Sequence, residues 1–296
     1  MNIDLSVAVI IPSYNSFSTI EQSLITFLGQ GYPIHEIVVV DSSPNGRVEE
    51  IVTKKFPQIT YIHFEKRLLP HAARNLGVQK ASSELLVFTD PDIYAPPDWL
   101  DNLVEAHRQY GGVIIGSLTN HTNSWLDWGI HLGKFDSFLP EAEACPLGFC
   151  ATANMLCSRK DFEQVGGFEN DEMLGDLLIS WKFTKNHIPI FLVPQALVQH
   201  HHTQSYSDFL HERYIRGMDF GRLRHNQFRW TRLQTIRHIL LTMSGLRLIS
   251  LMVREGKHSL KAKLFMKFLH TLPISFMGQA SWLSGEMAAF FRVLAQ

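Results

Sequence analysis

Asp90 and Asp92 stand two residues apart just after the apolar run LLVFT (85–89), with Pro91 between them. Mg²⁺ and Mn²⁺ take carboxylate oxygens and commonly complete their shell with substrate phosphates, so a pair at this spacing could hold such an ion. A polar turn after a strand has the same composition, and the pair alone is a weak signal. Asp41 ends a second apolar run, EIVVVD (36–41). Asp176 follows Gly175 where a helical pattern opens. A carboxylate there could take a proton from a hydroxyl, or simply serve as a first-turn acid. His200, His201 and His202 are consecutive, and neutral imidazole can ligate Mn²⁺. Arg213 and Arg216 lie a helical step apart and could meet phosphate or form an exposed basic face.

These residues need a scaffold. Strands are predicted over 6–11, 36–41, 59–64, 84–90, 112–118 and 189–194, each a short apolar run. Helices are predicted over about 19–27, 48–56, 71–81, 96–110, 158–165 and 176–184, with Gly166 and Gly167 forming a turn between the last two. Strands alternating with helices imply a parallel sheet covered on both faces. In such sheets ligands bind beyond the carboxyl ends of the strands. Asp41, Asp90 and the Pro12–Ser13–Tyr14–Asn15 turn all fall at such ends. Between about 120 and 161 the alternation weakens and aromatic residues gather, a pattern that suits binding loops.

Composition supports a globular chain of 296 residues with one large core and an appendage. Cys145, Cys150 and Cys157 make neither a disulfide framework nor a zinc-type spacing, which points to a reducing compartment. The N-terminal stretch reads as the first strand rather than a signal peptide. The net charge of −1 hides two opposed halves. From His211 onward there are 14 Lys or Arg against 4 Asp or Glu, a balance of +10; residues 1–210 carry −11. That basic tail is also apolar, but Arg247 and Glu286 interrupt every run long enough to span a bilayer. A surface-lying or re-entrant helix pair is the expectation, against a helical lid or dimer face as the alternative. Its basic residues sit among apolar ones, which suits lipid better than nucleic acid. No feature of the sequence sets an oligomeric state.

The chain resembles the family 2 glycosyltransferases. The likeness rests on VAVIIPSYN, EIVVVDSSPNG, HAARNLG, LLVFTDPDI, GFCATANMLCSRKDFEQVGGFEN and LGDLLISWKF, in that order, from about Val7 to His202. The resemblance implies a GT-A fold, α/β, with a mostly parallel sheet flanked by helices and here a C-terminal helical extension. Residues 1–206 would be the catalytic domain, with 1–118 holding the nucleotide and 119–206 the acceptor; 207–296 would be the extension. It implies a nucleotide-sugar donor, Mg²⁺ or Mn²⁺, and inversion at the anomeric carbon. It places Pro12, Tyr14, Asp41, Arg74 and Asp90 at the donor, with Asp41 favouring a UDP-sugar. It places the metal on Asp92 and, by the His–Thr–x–Ser pattern, on His202 rather than His200. Asp176 would be the base. The family usually has Glu–Asp where this chain has Gly175–Asp176. A glycan or lipid-linked acceptor, at the inner face of the cell membrane, completes the expectation.

Two alternatives compete. A nucleotidyltransferase would carry a glycine- and basic-rich loop after the first strand, which IIPSYNSF lacks. A binding protein that keeps the fold without turnover would be compatible with the absent glutamate.

Overall fold

The computed structural model describes residues 5–140 and 143–295; residues 1–4, before the first strand, lie outside the described part. Two compact units emerge, one of Met1–His121 with Pro140–His201, the other of Thr122–Leu139 with His202–Gln296.

The first unit is built on a sheet of nine strands among the described residues: β1 Val7–Ser13, β2 Glu36–Asp41, β3 Thr60–His63, β4 Leu85–Thr89, β5 Ile93–Tyr94, β6 Val113–Asn120, β7 Cys145–Pro146, β8 Asn154–Ser158 and β9 Ile190–His200. Their order is β3-β2-β1-β4-β8-β6-β9-β5, with β7 beside β9. The helices α1 Ile20–Leu28, α2 Arg47–Lys55, α3 Pro70–Lys80, α4 Trp99–Tyr110, α6 Arg159–Gln164 and α7 Gly175–Lys185 belong to this unit, and α5 Trp125–Phe135 to the other.

The half β3-β2-β1-β4 is parallel throughout, as the alternation implies. Beyond it the sheet is mixed. β8 enters antiparallel between β4 and β6, and β9 runs parallel to β6. Asn154 explains how a polar residue can open a buried strand. Its side chain accepts from the Trp99 indole at 2.8 Å and donates to the carbonyls of Ser117 and Ala196 at 3.0 and 2.8 Å, which leaves no buried polar group unmatched. β9 continues past Pro194, where the sequence-based strand stops. The register of β6 against β9 shifts between Gly116 and Leu118, an irregularity of the kind that admits proline into a sheet.

The second unit is helical: α5, a 3₁₀ turn at Asp136–Phe138, α8 Tyr206–Phe228, α9 Arg232–Met243, α10 Leu246–Lys261 and α11 Phe265–Leu294. It takes in Thr122–Leu139, which the sequence-based division assigns to the acceptor half of the catalytic domain. The reason is packing: Trp128, Leu132 and Leu139 share a core with Phe268, and Ile130 with Phe209 and Ile274. α8 and α11 touch backbone to backbone through glycine. A Cβ at Gly217 would lie 2.0 Å from the Trp282 carbonyl oxygen, and one at Gly285 1.9 Å from that of Tyr214.

Charges inside this unit are partnered. Arg247 meets Glu286 at 2.6 Å, and Arg254 grips both carboxylate oxygens of Asp136. Glu255 differs. It is fully buried, and burial pushes its carboxyl up to about 7, opposed by Ser275 and Gln279 and, last, by Arg213. Both neighbouring side chains already donate to α5 carbonyls, of Gly129 and Gly133, so little is left for a charge on Glu255. An acid with a raised folded-state pKa binds its proton more tightly folded than unfolded, so stability falls as pH climbs from about 4.5 to about 7 and is level above that. Glu255→Gln is therefore expected to stabilise the chain by about 3 kcal/mol above pH 7 and to be neutral near pH 4.5. Chemical denaturation at the two pH values reads this directly.

Candidate functional site

The carboxyl ends of β1, β2 and β4 carry the polar residues that sequence pattern places there. Asp41, at the end of β2, is wholly enclosed. Ser13 and Ser43 donate to its Oδ1 at 2.7 Å each, and Tyr61 to its Oδ2 at 3.0 Å. His63 Nδ1 lies 3.7 Å from the same Oδ2. Burial, then the charge of Asp41, raise the Tyr61 phenol well above its ordinary value, so it stays a donor at neutral pH. Asp41 thus organises the loops after β1 and β2: Ser43 bridges it to the backbone N–H of Asn15 at 2.8 Å, where Asn15 takes a positive φ of 55°. Pro12 is buried within β1, and Tyr14, next but one, is exposed with the Arg67 guanidinium over its ring at 4.3 Å.

The acidic pair follows β4 in a tight turn. Ile93 N–H donates to the Asp90 carbonyl at 3.3 Å, and Ser23 of α1 holds the Pro91 carbonyl at 2.8 Å. β5 then pairs antiparallel with the end of β9, setting Ile93 opposite His200. His201 N–H donates to the Asp92 carbonyl at 2.8 Å. This ladder fixes the geometry. One ligand atom from each of Asp90, Asp92 and His200 falls within 4.8 Å of the others, and His200 Nε2 is 3.8 Å from Asp92 Oδ1. Two carboxylates and an imidazole are a donor set that fits Mg²⁺ or, better, Mn²⁺. Tyr94 lies alongside, its hydroxyl 2.9 Å from His201 Nδ1, and burial followed by the charge of Asp92 raises its pKa.

The histidine in this group is His200, not His202. Along β9, Ala196, Val198 and His200 are buried on one face while Gln195 and Gln199 are exposed. That two-residue period delivers His200 to the acidic turn. His202 lies past the strand, in the second unit, with its Nε2 3.2 Å from His131 Nδ1. The pattern that favoured His202 is a matter of spacing after the strand. The strand's end instead sets His200 beside the acidic pair.

Arg74, buried on α3, closes on the Asp90 carboxylate in a short ion pair. Its other nitrogen is 3.4 Å from His71 Nδ1, and the His71 ring packs on Phe168 with centroids 5.0 Å apart. Across from His71 stands Gly175. A Cβ there would fall 2.5 Å from the imidazole. The position that usually carries glutamate in the resembling family is therefore filled by the His71 ring. Asp176 follows in the first turn of α7, partly exposed, with its Oδ1 accepting the Leu177 N–H at 3.2 Å. Arg74, His71 and Gly175 link the Asp90 turn to the start of α7. His71 is the residue that sequence reading passed over; its place in HAARN, one helical turn before Arg74, was the available signal.

Gly175→Ala is expected to cost about 1–3 kcal/mol by overpacking against that ring. His71→Ala should remove most of the penalty in a double-mutant cycle followed by thermal melting.

A mixed α/β sheet with carboxylates beyond the strand ends and helices on both faces is the architecture of GT-A glycosyltransferases. Mannosyltransferase PcManGT from Pyrobaculum calidifontis, solved with GDP-Man and Mn²⁺, shares it with a TM-score of 0.62 at 20% identity, over 99% of this chain and 88% of its own. GalNAc-T7, solved with UDP, GalNAc and Mn²⁺, matches 68% of this chain and 45% of its own with a TM-score of 0.55 at 17% identity. The chain belongs to glycosyl transferase family 2, whose model matches residues 8–166. Among curated relatives, glycosyltransferase AglE of Haloferax volcanii is 26% identical over 177 residues, 57% of this chain. The chain spans 58% of that relative's length, and only 13% and 25% of two Rickettsia glycosyltransferases.

Proposed function

We propose that the protein transfers a sugar from a nucleoside-diphosphate sugar to a hydroxyl of a glycan or lipid-linked acceptor, with inversion at the anomeric carbon. The observation that carries this reading is the convergence of Asp90, Asp92 and His200 at the carboxyl edge of the sheet. Similarity to enzymes solved with Mn²⁺ and a nucleotide or nucleotide-sugar supports it.

Each residue then has a task. Tyr14 and Arg67 offer a flat, cationic surface on which a base can stack. Asp41, wholly enclosed, holds the two loops that frame that surface through Ser13, Ser43 and Tyr61. Arg74 fixes the rotamer of Asp90, leaving the second Asp90 oxygen and Asp92 to face the donor. Asp90, Asp92 and His200 would hold a divalent cation, which would supply positive charge against the charge that develops on the departing diphosphate. Asp176 takes the proton of the acceptor hydroxyl as its oxygen bonds to the anomeric carbon and the bond to the diphosphate oxygen breaks. Attack from the face opposite the diphosphate gives inversion in one displacement.

A screen of nucleotide-sugars with Mn²⁺ or Mg²⁺, read as release of nucleoside diphosphate, tests the proposal. Metal-dependent release from at least one donor is expected. A folded chain that releases none, and binds none, contradicts it.

A further inference from the structure

Three consecutive helices of the second unit bury polar residues while leaving large apolar ones exposed. In a helix that meets water, polar residues face out and apolar residues face in. In α10 some ionic and polar residues turn inward, while Arg254, Lys257 and Lys261 stay exposed. Arg247 pairs with Glu286, Arg254 with Asp136, and Glu255 and Ser259 are fully buried. Its outer face shows Leu246, Ile249, Val253 and Leu260, each half or more exposed. α11 buries Phe268, Ile274 and Phe290, and polar residues with them. Thr271, Ser275, Gln279 and Glu286 are buried, while Phe265, Leu269, Leu272 and Phe276 lie outward at spacings of four, three and four. In α9, Thr235 and Thr242 are buried while Leu233, Ile236, Leu240 and Met243 are exposed. Between α10 and α11 these outer side chains line a groove of about 590 Å³ whose walls are almost entirely carbon.

We propose that this face lies in the interface of an anionic lipid bilayer, with acyl chains entering the α10–α11 groove. Scattered exposed leucines are ordinary, but two exposed stripes, on α10 and α11, lining one apolar groove are not. Charge selects the occupant. Lys257 lines the groove, and Lys263 stands exposed at the turn between the two helices. Arg232 and Arg237 are exposed on α9 beside its apolar stripe. Cations at the border of a hydrocarbon surface match lipid phosphates. A second copy of the same face would set those cations against one another. Depth follows from length: no single described helix is long and apolar enough to cross a membrane, and α9 with α10 qualifies only as a pair bent by 68°. The helices therefore lie in the interface. This proposal is independent of the donor-site reading.

The test is flotation of the intact chain with phosphatidylcholine vesicles and with mixed phosphatidylcholine–phosphatidylglycerol vesicles, at low and high salt. The chain is expected to float with the mixed vesicles at low salt and to be released in part by high salt. Ile249→Asn with Leu269→Asn changes only exposed side chains, so circular dichroism should be unaltered; vesicle partitioning should fall by at least about 100-fold. Lys257→Gln with Lys263→Gln should lose roughly 25-fold on mixed vesicles and little on neutral ones. Asp92→Ala should float like the parent, which separates this result from any failure of donor chemistry. The proposal is overturned if the folded parent stays in the vesicle-free fraction. It is equally overturned if the asparagine variant floats unchanged, or if the parent is a stable dimer in solution that the asparagine changes split.

Discussion

Asp92→Ala is expected to lower metal-dependent turnover of nucleotide-sugar by about three decades, on the order of 4 kcal/mol of barrier, while leaving the melting transition where it was. Asp92 is one of three groups in the donor set, within 4.8 Å of both Asp90 and His200, so its loss leaves only two ligands, too few to hold a cation against water. The turn itself does not depend on that side chain. It is held by backbone and neighbouring groups: Ile93 N–H on the Asp90 carbonyl, His201 N–H on the Asp92 carbonyl, and the Ser23 hydroxyl on the Pro91 carbonyl. Activity and fold should therefore separate. Turnover assays alongside calorimetric melting of the same preparation check both halves. His200→Ala should follow Asp92→Ala in direction, and its metal requirement should shift to higher concentration. His202→Ala should leave that requirement alone.

The second large effect is expected from Asp176→Asn. Loss of a positioned general base costs about 10²- to 10⁴-fold in kcat. The amide keeps an oxygen at Oδ1 to accept the Leu177 N–H, as the carboxylate does, so the first turn of α7 should persist. Donor affinity should be unchanged, because none of the residues proposed for the donor and its cation sits on α7. The expected signature is a fall in kcat for transfer with an unchanged KM for the donor. A fall confined to KM would instead mark Asp176 as a binding residue.

Much of this was visible before any coordinates. The parallel half of the sheet, its carboxyl-terminal aspartates and the helices between them follow from short apolar runs alternating with helical patterns. β2, at Glu36–Asp41, agrees residue for residue. Of the mixed half, β6 and β9 showed as apolar runs at 112–118 and 189–194, but β8 did not, for an identifiable reason. β8 opens with Asn154, a polar residue that reads as loop until its three partners from α4, β6 and β9 are seen. α5 is punctuated by Gly129 and Gly133, which break a helical reading. Gly129 is there because Ile274 of α11 packs where a Cβ would be. A local signal did exist in Ser124, which caps the helix by accepting the Asp127 N–H at 3.3 Å.

Which histidine stands beside the acidic pair turned on a single proline. Ending the strand at Pro194 leaves the three histidines in a loop where spacing alone must choose among them. Carrying the strand on to His200 lets alternation choose, and it selects His200. The exposed apolar residues of α9, α10 and α11 were only half legible. Composition showed a basic, apolar tail, but which face each residue takes depends on partners distant in sequence, such as Asp136 for Arg254, 118 positions away.

Binding of Mn²⁺, followed by electron paramagnetic resonance on the intact chain with and without a nucleoside diphosphate, bears most directly on the acidic turn. The account predicts a single bound ion per chain, tightened by the diphosphate, lost in Asp92→Ala and weakened in His200→Ala. A folded chain that leaves Mn²⁺ free in solution even with the diphosphate present, or that binds it equally well without the Asp92 carboxylate, would contradict it.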